Sequence, residues 1–242
     1  MPVADGSSAM QIERARATVA TWMSPYLHAS GRTPDSRVVG VLYSRVPLLP
    51  EWIEFTLALP GDLDLRHAKF SAHRFLYLWA VLAAHFHERC KFFLKADPDS
   101  FVNVQALLPA LRPYNHSEAL YLGSVVLAHA RINGGSEDGS DQWERFAHGP
   151  GYLLSSCSLK VAAETLRSCV PYFSKYYIES QEDMTVGACL REAGISVREL
   201  GPMIHFDGDI HKASPTTLIA HPVGPTDMFR LHDILLAPRK KK

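Results

Sequence analysis

Short apolar stretches recur along this chain at lengths typical of β-strands. Residues 37–44 form a compact apolar run, and residues 52–59 alternate apolar with polar side chains, as in a strand with one buried face. We predict strands at 37–44, 52–59, 91–96, 120–126 and 195–200. The pattern therefore indicates several short strands spread over most of the chain.

Apolar residues at helical spacing separate these strands. The clearest helix is predicted at 67–89, where one apolar stripe would pack on a sheet: Phe75, Leu78, Trp79, Leu82 and Phe86. Further helices are predicted at 11–23, 104–111, from Ser155 or Ser156 to about 168, 182–193 and 225–236. Strands that alternate with helices predict an α/β fold with a mostly parallel sheet covered on both faces.

One domain over residues 14–236 accounts for this pattern, because no linker divides it. We expect residues 1–13 to be a disordered or incomplete N-terminal end and residues 237–242 to be a solvated basic tail. Hydrophobic residues make up 47% of the 242 residues, and the formal net charge is zero. That neutrality argues against a nucleic-acid polymer as a partner.

The four cysteines and one glycosylation sequon give information on the cellular compartment in which the protein resides. Cys90, Cys157, Cys169 and Cys189 lack the spacing of a zinc site. Cys169 and Cys189 are predicted either to form a disulfide or to be buried thiols. Asn115-His116-Ser117 is an N-glycosylation sequon in a polar loop, which gives slight support to a secretory lumen. No apolar run approaches the ~20 residues of a membrane span.

The candidate chemistry begins where the apolar run Phe92–Leu94 is followed by Asp97 and Asp99. A buried strand that ends in Asp-x-Asp places two carboxylates at the carboxyl edge of a sheet, where open α/β sheets bind ligands. Two hard oxygen donors there suit Mg²⁺ or Mn²⁺ carrying phosphates. The competing interpretation is a solvated turn in which Asp97 or Ser100 serves as a helix cap.

Three further features follow in order along the chain. His148–Ser155 is a glycine-rich segment that we predict to be a turn leading into an apolar step. Glu182–Cys189 places two carboxylates at the first turn of a helix, with Gly187 four residues beyond Asp183. His221 follows an apolar triplet.

In this order the segments resemble the inverting, metal-dependent β-1,3-glycosyltransferases of family 31, which include fringe and the core 1 β-1,3-galactosyltransferases. That family has a Lys-x-Asp-Asp-Asp segment, a Gly-Gly-Ala-Gly-x-x-Leu-Ser turn, a Glu-Asp-Val/Leu-x-x-Gly-x-Cys helix and a late histidine. The matching segments here are Lys95–Asp99, His148–Ser155, Glu182–Cys189 and His221–Met228. Residues 14–22 are similar to an Arg-x-x-x-Thr-Trp segment near the family's start.

The resemblance covers residues 14–236 and implies a GT-A-type, Rossmann-like fold. The chain differs from the family at Pro98, where the family has its middle aspartate. It also differs at residues 148–151, which read His-Gly-Pro-Gly in place of the family's Gly-Gly-Ala-Gly. The family also has a first strand, a stem and a membrane anchor before the segment that begins here at Arg14. We therefore expect that the chain lacks this first strand and the anchor. It would then be a fragment, an incorrectly started sequence or a divergent soluble form.

The same resemblance implies that Asp97, Asp99 and His221 hold a divalent cation, Mn²⁺ or Mg²⁺, bound to the diphosphate of a UDP-sugar. Asp97 would support the metal through water or contact the ribose. His205 and His211 are the alternatives to His221.

Asp183 is implied to be the general base, which takes the proton from the acceptor hydroxyl as that oxygen attacks the anomeric carbon. The competing interpretation is electrostatic, because an acidic residue stabilises the first turn of any helix by about 0.3–1 kcal/mol. Glu182 is either a structural neighbour or an acceptor contact.

Four other residues are candidates for substrate contacts. Gly149 and Gly151 are implied to lie near the acceptor. Trp143, in the polar stretch 128–146 that we predict to be a functional loop, is a candidate to stack on a sugar ring. Arg74 is either a phosphate contact or a solvated basic residue.

The resemblance, through the late His-x-Val and Met pattern of its core 1 branch, implies a β-1,3-galactosyltransferase that moves galactose from UDP-galactose to a glycan acceptor such as N-acetylgalactosamine on a glycoprotein. We expect it in the Golgi lumen, and a homodimer remains open. One alternative is a catalytically silent homologue that acts as a chaperone or partner of an active transferase. The other is a metal-dependent phosphohydrolase, which would need more acidic or histidine ligands near the Asp pair.

Overall fold

The computed structural model describes residues 3–4, 9–23, 42–44, 56–58, 71–130, 142–173, 182–205 and 210–235. Within these ranges the strands are β1 (Val3–Ala4), β2 (Leu42–Ser44), β3 (Thr56–Ala58), β4 (Phe92–Ala96), β5 (Phe101–Val102), β6 (Tyr121–Ala130), β7 (Gln142–Ser155), β8 (Val197–Glu199), β9 (Met203–His205) and β10 (Ile219–His221). The helices are α1 (Ala9–Thr18), α2 (Ser71–Phe86), α3 (Val104–Leu111), α4 (Ser156–Phe173), α5 (Glu182–Glu192) and α6 (Pro225–Leu235). The predicted α/β class is confirmed.

Chain contacts divide the protein into two compact units. The first unit comprises Met1–Leu63, Lys95–Pro113 and Pro202–Lys242. The second comprises Asp64–Leu94 and Tyr114–Gly201. Each unit contributes strands and helices of its own.

The first unit contains two three-stranded sheets. Strands β1, β2 and β3 pair in parallel, and β1 lies in the segment for which the sequence predicted a disordered or incomplete end. In the other sheet, β10 lies between β5 and β9, antiparallel to the former and parallel to the latter. Helices α1 and α6 contact each other. Residues of both helices are buried: Ala15, Ala17, Met228 and Leu231.

The second unit is built on a four-stranded sheet in the order β4-β7-β6-β8. Strands β6 and β7 are antiparallel, whereas β6 and β8 are parallel. Helices α4 and α5 both contact β7, and α2 contacts α4 and α5. The largest buried side chains of this unit include Trp79, Tyr121, Tyr152, Leu122 and Leu153. Among the described residues, no helix is both long enough and apolar enough to cross a membrane.

The functional loop predicted at 128–146 is wrong where the structure describes it, because residues 128–130 and 142–146 lie in strands. Strand β6 continues to Ala130 and β7 begins at Gln142, with these two residues opposite each other in the antiparallel ladder. An antiparallel pair tolerates polar residues because one of its faces can meet water. Polar composition therefore did not exclude a strand here. Residues 131–141 lie outside the described part of the chain.

Local signals set the ends of three helices. The side chain of Asn103 accepts a hydrogen bond from Ala106 N at 3.2 Å and caps α3. Of the two serines predicted to cap α4, Ser155 does so, because its Oγ accepts from Ser158 N at 3.1 Å. Gly194 follows α5 with a φ of 79°, which suits glycine at a helix end. Helix α4 runs five residues beyond its predicted end.

The disulfide prediction is supported at one of its two cysteines. Cys189 in α5 is disulfide-bonded, while Cys90 and Cys157 are free. The side chain of Cys169, the predicted partner, lies outside the described residues. Burial raises the pKa of Cys90, so this thiol stays protonated near neutral pH.

Gly187 lets α5 lie close against β7. A Cβ at this position would lie 2.5 Å from Phe146 Cβ and 3.3 Å from Phe146 Cα. Gly187→Ala should therefore lower the free energy of unfolding, because overpacking costs about 1–3 kcal/mol and an atom so near the backbone cannot easily move. This cost should exceed the gain of about 1 kcal/mol that alanine has over glycine within a helix. Urea unfolding would measure the difference.

The matched control is Gly224→Ala, because a Cβ there meets nothing within 4 Å. Gly224 precedes α6, so this change should cost only the small preference for glycine over alanine at a helix start. Equal losses in the two variants would contradict the steric explanation for Gly187.

Candidate active site

The turn that carries the aspartate pair is a β-turn between β4 and β5. Ser100 N donates to Asp97 O at 2.9 Å and closes it. Asp97 occupies the first turn position and Pro98 the second, and both residue types are favoured there. The proline therefore shapes the turn, which places Asp97 and Asp99 on either side of it.

Strand pairing brings His221 to this turn. In the antiparallel register Ala220 lies opposite Phe101, so the end of β10 faces the residues just before β5. His221 is the last residue of β10, and Val223 N donates to Asp99 O at 2.8 Å. Two residues more than 100 positions apart in sequence thus meet because β5 and β10 pair.

Asp97, Asp99 and His221 form one cluster in the first unit. His221 Nε2 lies 3.2 Å from Asp99 Oδ1 and 3.9 Å from Asp97 Oδ2. One ligand atom from each residue lies within 4.8 Å of the other two. Atoms bound to one ion at ~2.0–2.6 Å are at most about 5 Å apart. The three side chains therefore fit a single divalent cation.

Two basic side chains occupy the other carboxylate oxygens. Lys95 Nζ lies 2.8 Å from Asp97 Oδ1, and Arg14 Nη1 lies 3.3 Å from Asp99 Oδ2. Each carboxylate thus has one oxygen near His221 and one paired with a cation. The sequence analysis gave Lys95 and Arg14 no role in the site. Lys95 lies two residues before Asp97, and side chains alternate along a strand, so this spacing was a usable signal.

The electrostatics of the cluster favour an ionised Asp99. Burial pushes the pKa of Asp99 up, but a hydrogen bond and the positive charge of His221, together with Arg14, outweigh it and lower the pKa below its ordinary value. A carboxylate must be deprotonated to bind a metal. Asp99 is therefore in the ligand form at neutral pH.

Glu182 and Asp183 open α5 in the second unit and have different surroundings. Glu182 is buried and accepts a hydrogen bond from the Tyr152 hydroxyl, which in turn accepts from Trp79 Nε1 at 3.2 Å. Burial and the charge of Glu182 raise the pKa of Tyr152, so its hydroxyl keeps the proton that it donates. Asp183 is partly exposed, and its Oδ1 accepts from Met184 N at 2.9 Å. Glu182 thus has a structural contact, and Asp183 is the carboxylate open to solvent.

The glycine segment predicted as a turn lies inside β7. Gly123 of β6 is opposite Tyr152, but Val125 is opposite Ala147. Residues 148–151, which include both candidate glycines, therefore form a bulge opposite a single residue of β6. Antiparallel pairing on both sides of the segment overrides its turn-like composition.

Three other candidates are placed only in part. Arg74 lies in α2, and Trp143 lies in β7 opposite His129, but neither side chain is among those described. His205 of β9 pairs with His221 of β10 in the ladder, and its side chain is likewise not described. Their proposed contacts stay predictions.

Comparison with known proteins supports the resemblance seen in the motifs. The chain is 28% identical to chondroitin sulfate synthase 3 of Mus musculus over 172 residues, 63% of this chain and 18% of that protein. It is 30% identical to hydroxyproline O-galactosyltransferase GALT6 of Arabidopsis thaliana over 158 residues, 62% and 22% of the two chains. It is 29% identical to β-1,3-galactosyltransferase GALT1 of Arabidopsis thaliana over 161 residues, 62% and 24%. The chain therefore spans about a fifth of the length of these relatives.

The family model described as Fringe-like matches residues 67–222, which is more than half of the chain. The matched range contains Asp97, Asp99, Asp183 and His221. The chain therefore belongs to the Fringe-like family.

Proposed function

We propose that this chain carries an inverting glycosyltransferase activity that depends on a divalent cation and a UDP-sugar. The observation that carries the proposal is the cluster of Asp97, Asp99 and His221, with ligand atoms within 4.8 Å, in a chain of the Fringe-like family. Two carboxylates and an imidazole are a donor set for a small divalent cation. The imidazole nitrogen favours Mn²⁺ over Mg²⁺, which prefers oxygen ligands.

Asp97, Asp99 and His221 would hold the ion, and a bound ion would supply positive charge for the departing diphosphate. Lys95 and Arg14 keep the outer carboxylate oxygens engaged. This pairing leaves one oxygen of each aspartate available and fixes its direction, as partners outside a metal shell commonly do.

We assign the role of general base to Asp183. Its carboxylate is partly exposed, as a group that meets an acceptor hydroxyl must be. Its place in the first turn of α5 favours the charged form, which is the form that accepts a proton. One such base is sufficient for a single displacement with inversion and contributes about 10²–10⁴-fold to the rate.

The identities of donor and acceptor are further parts of the proposal. Two of the similar proteins are named galactosyltransferases, which supports galactose from UDP-galactose. We propose transfer in β-1,3 linkage to a glycan such as N-acetylgalactosamine on a glycoprotein. On the family resemblance, Gly149 and Gly151 would contact the acceptor. By residue type and position in the sequence, Trp143 would stack on a sugar ring and Arg74 would contact a phosphate.

The decisive experiment measures UDP release from a panel of UDP-sugars with acceptor, in Mn²⁺ and after chelation. The full chain should turn over only with the metal. Asp183→Asn should lose about 10²–10⁴-fold in rate while still binding UDP with Mn²⁺, because the change removes the base and leaves the metal cluster intact. The matched control is Glu192→Gln on the same helix, whose side chain is 46% exposed and should behave as wild type.

Two results would contradict this assignment. A folded wild-type chain without metal-dependent turnover would favour the alternative of a catalytically silent partner. A product that retains the anomeric configuration, seen by NMR, would remove Asp183 from its role as the single base.

We also propose that the chain passes through the secretory pathway. Cys189 is disulfide-bonded, and disulfides are typical of oxidising compartments. Asn115 of the sequon is exposed, with its Oδ1 accepting from Ser117 N at 3.1 Å. An exposed sequon on such a chain is a site that N-glycosylation enzymes can reach.

Expression of the full chain through a eukaryotic secretory pathway should therefore yield a glycan at Asn115. The measurement is a mobility shift on treatment with an N-glycanase, with the site identified by mass spectrometry. Ser117→Ala should abolish the shift, whereas Ser117→Thr keeps the sequon and should preserve it. Secreted wild-type chain without the shift would contradict the prediction.

A further inference from the structure

We infer that three side chains on one face of α1, called the stripe below, position the turn at residues 97–100, called the metal-binding turn. The inference rests on the proposed function, because it assumes that this turn holds a cation. Arg14, Thr18 and Trp22 are spaced four residues apart. Residues at this spacing lie on one helix face. Helix α1 continues as a π-helical turn over Val19–Met23, which carries the stripe to Trp22.

Two members of the stripe bind carbonyl oxygens of the turn. Thr18 Oγ1 donates to Pro98 O at 3.0 Å, and Trp22 Nε1 donates to Ser100 O at 3.1 Å. Thr18 is 0% exposed, and Trp22 is 6% exposed. Buried carbonyl groups require donors, and α1 supplies donors on both sides of Asp99.

The third member binds the ligand residue between them. Arg14 pairs with Asp99 Oδ2 at 3.3 Å, while His221 lies near Asp99 Oδ1. The stripe therefore contacts three consecutive residues, Pro98, Asp99 and Ser100. This arrangement sets both the path of the turn and the direction in which the Asp99 carboxylate points.

A metal site depends on such support, because its ligand atoms must lie within about 0.5 Å of the required geometry. Removal of an outer partner of a metal ligand typically costs about 10–100-fold in metal affinity. Thr18 and Trp22 touch no candidate ligand atom in the described contacts, so they are positioning residues. The competing explanation is that they only stabilise the fold.

Thr21 provides a matched control for this distinction. It is 2% exposed and lies on the same helical segment, but its Oγ1 donates to Ala17 O at 2.6 Å, within that segment. Thr21→Val and Thr18→Val are the same chemical change at two buried threonines. Only the second removes a hydrogen bond to the metal-binding turn.

The experiment titrates Mn²⁺ into the full chain and follows the EPR signal of free Mn²⁺, well below the melting temperature of each variant. Thr18→Val should raise the Kd for Mn²⁺ about tenfold, the lower end of the cost of losing a direct partner of a ligand, because Thr18 acts through the backbone of the turn. Thr21→Val should leave the Kd close to wild type. Trp22→Phe keeps the aromatic bulk and removes the donor, so it should weaken Mn²⁺ binding as Thr18→Val does. It also tests the inference independently if Thr18→Val does not fold. Thermal melting by circular dichroism reports the stability of each variant.

The outcomes separate this inference from the proposed function. Failure of the wild-type chain to bind Mn²⁺ would overturn the proposed function and the inference with it. Binding that is unaffected by Thr18→Val and Trp22→Phe would overturn the inference alone. Equal weakening by Thr18→Val and Thr21→Val would also overturn it, because the loss would then follow stability and not the contact with the turn.

Discussion

The structure of the candidate metal site depends on the balance between two adjacent carboxylates and the cations that pair with them. Asp97 and Asp99 repel each other when both are ionised, and a lysine as buried as Lys95, at 2% exposure, is stable only beside a negative charge. The pairs Lys95–Asp97 and Arg14–Asp99 satisfy both requirements. The turn can therefore exist as a formed site before any metal binds.

The charges of these four side chains also determine which ligands the site would bind. Two carboxylates paired with two basic side chains carry no formal net charge, apart from His221. A divalent cation placed among them would leave an excess of positive charge. The diphosphate of a UDP-sugar would offset that excess, so cation and donor would each favour binding of the other. This electrostatic argument is independent of the family resemblance, and it favours an anionic group bound beside the cation.

Sequence alone predicted the parts of the site that are local. An apolar strand followed by Asp-x-Asp predicted two candidate ligands, and the position of Asp183 in a first helical turn needed only the pattern of α5. His221 was selected from the other histidines by resemblance, because pairing of β5 with β10 is not visible in composition. Arg14 lies 85 positions before Asp99, and their contact depends on how α1 packs. No local pattern encodes such a contact.

Long-range pairing also explains the error over the glycine segment. Gly149 and Gly151 have the composition of a turn, but the strand that continues on both sides of them pairs with β6, so the extra residues form a bulge. The six described helices and five of the ten described strands were predicted from their own periodicity, whereas β1, β5, β7, β9 and β10 were not. The lengths of β6 and β7 were not predictable, since each strand is stabilised by its partner across the ladder.

The motif residues of the second unit can be sorted by physical role. Gly187 is needed because β7 approaches α5 at Phe146, and Glu182 is held by the hydroxyl of Tyr152. Packing thus accounts for the glycine and for the first carboxylate without any appeal to catalysis. Asp183 is different, because it is the partly exposed member of the pair, and its Oδ1 accepts a hydrogen bond from Met184 N. Exposure, more than the motif itself, therefore selects Asp183 as the candidate base.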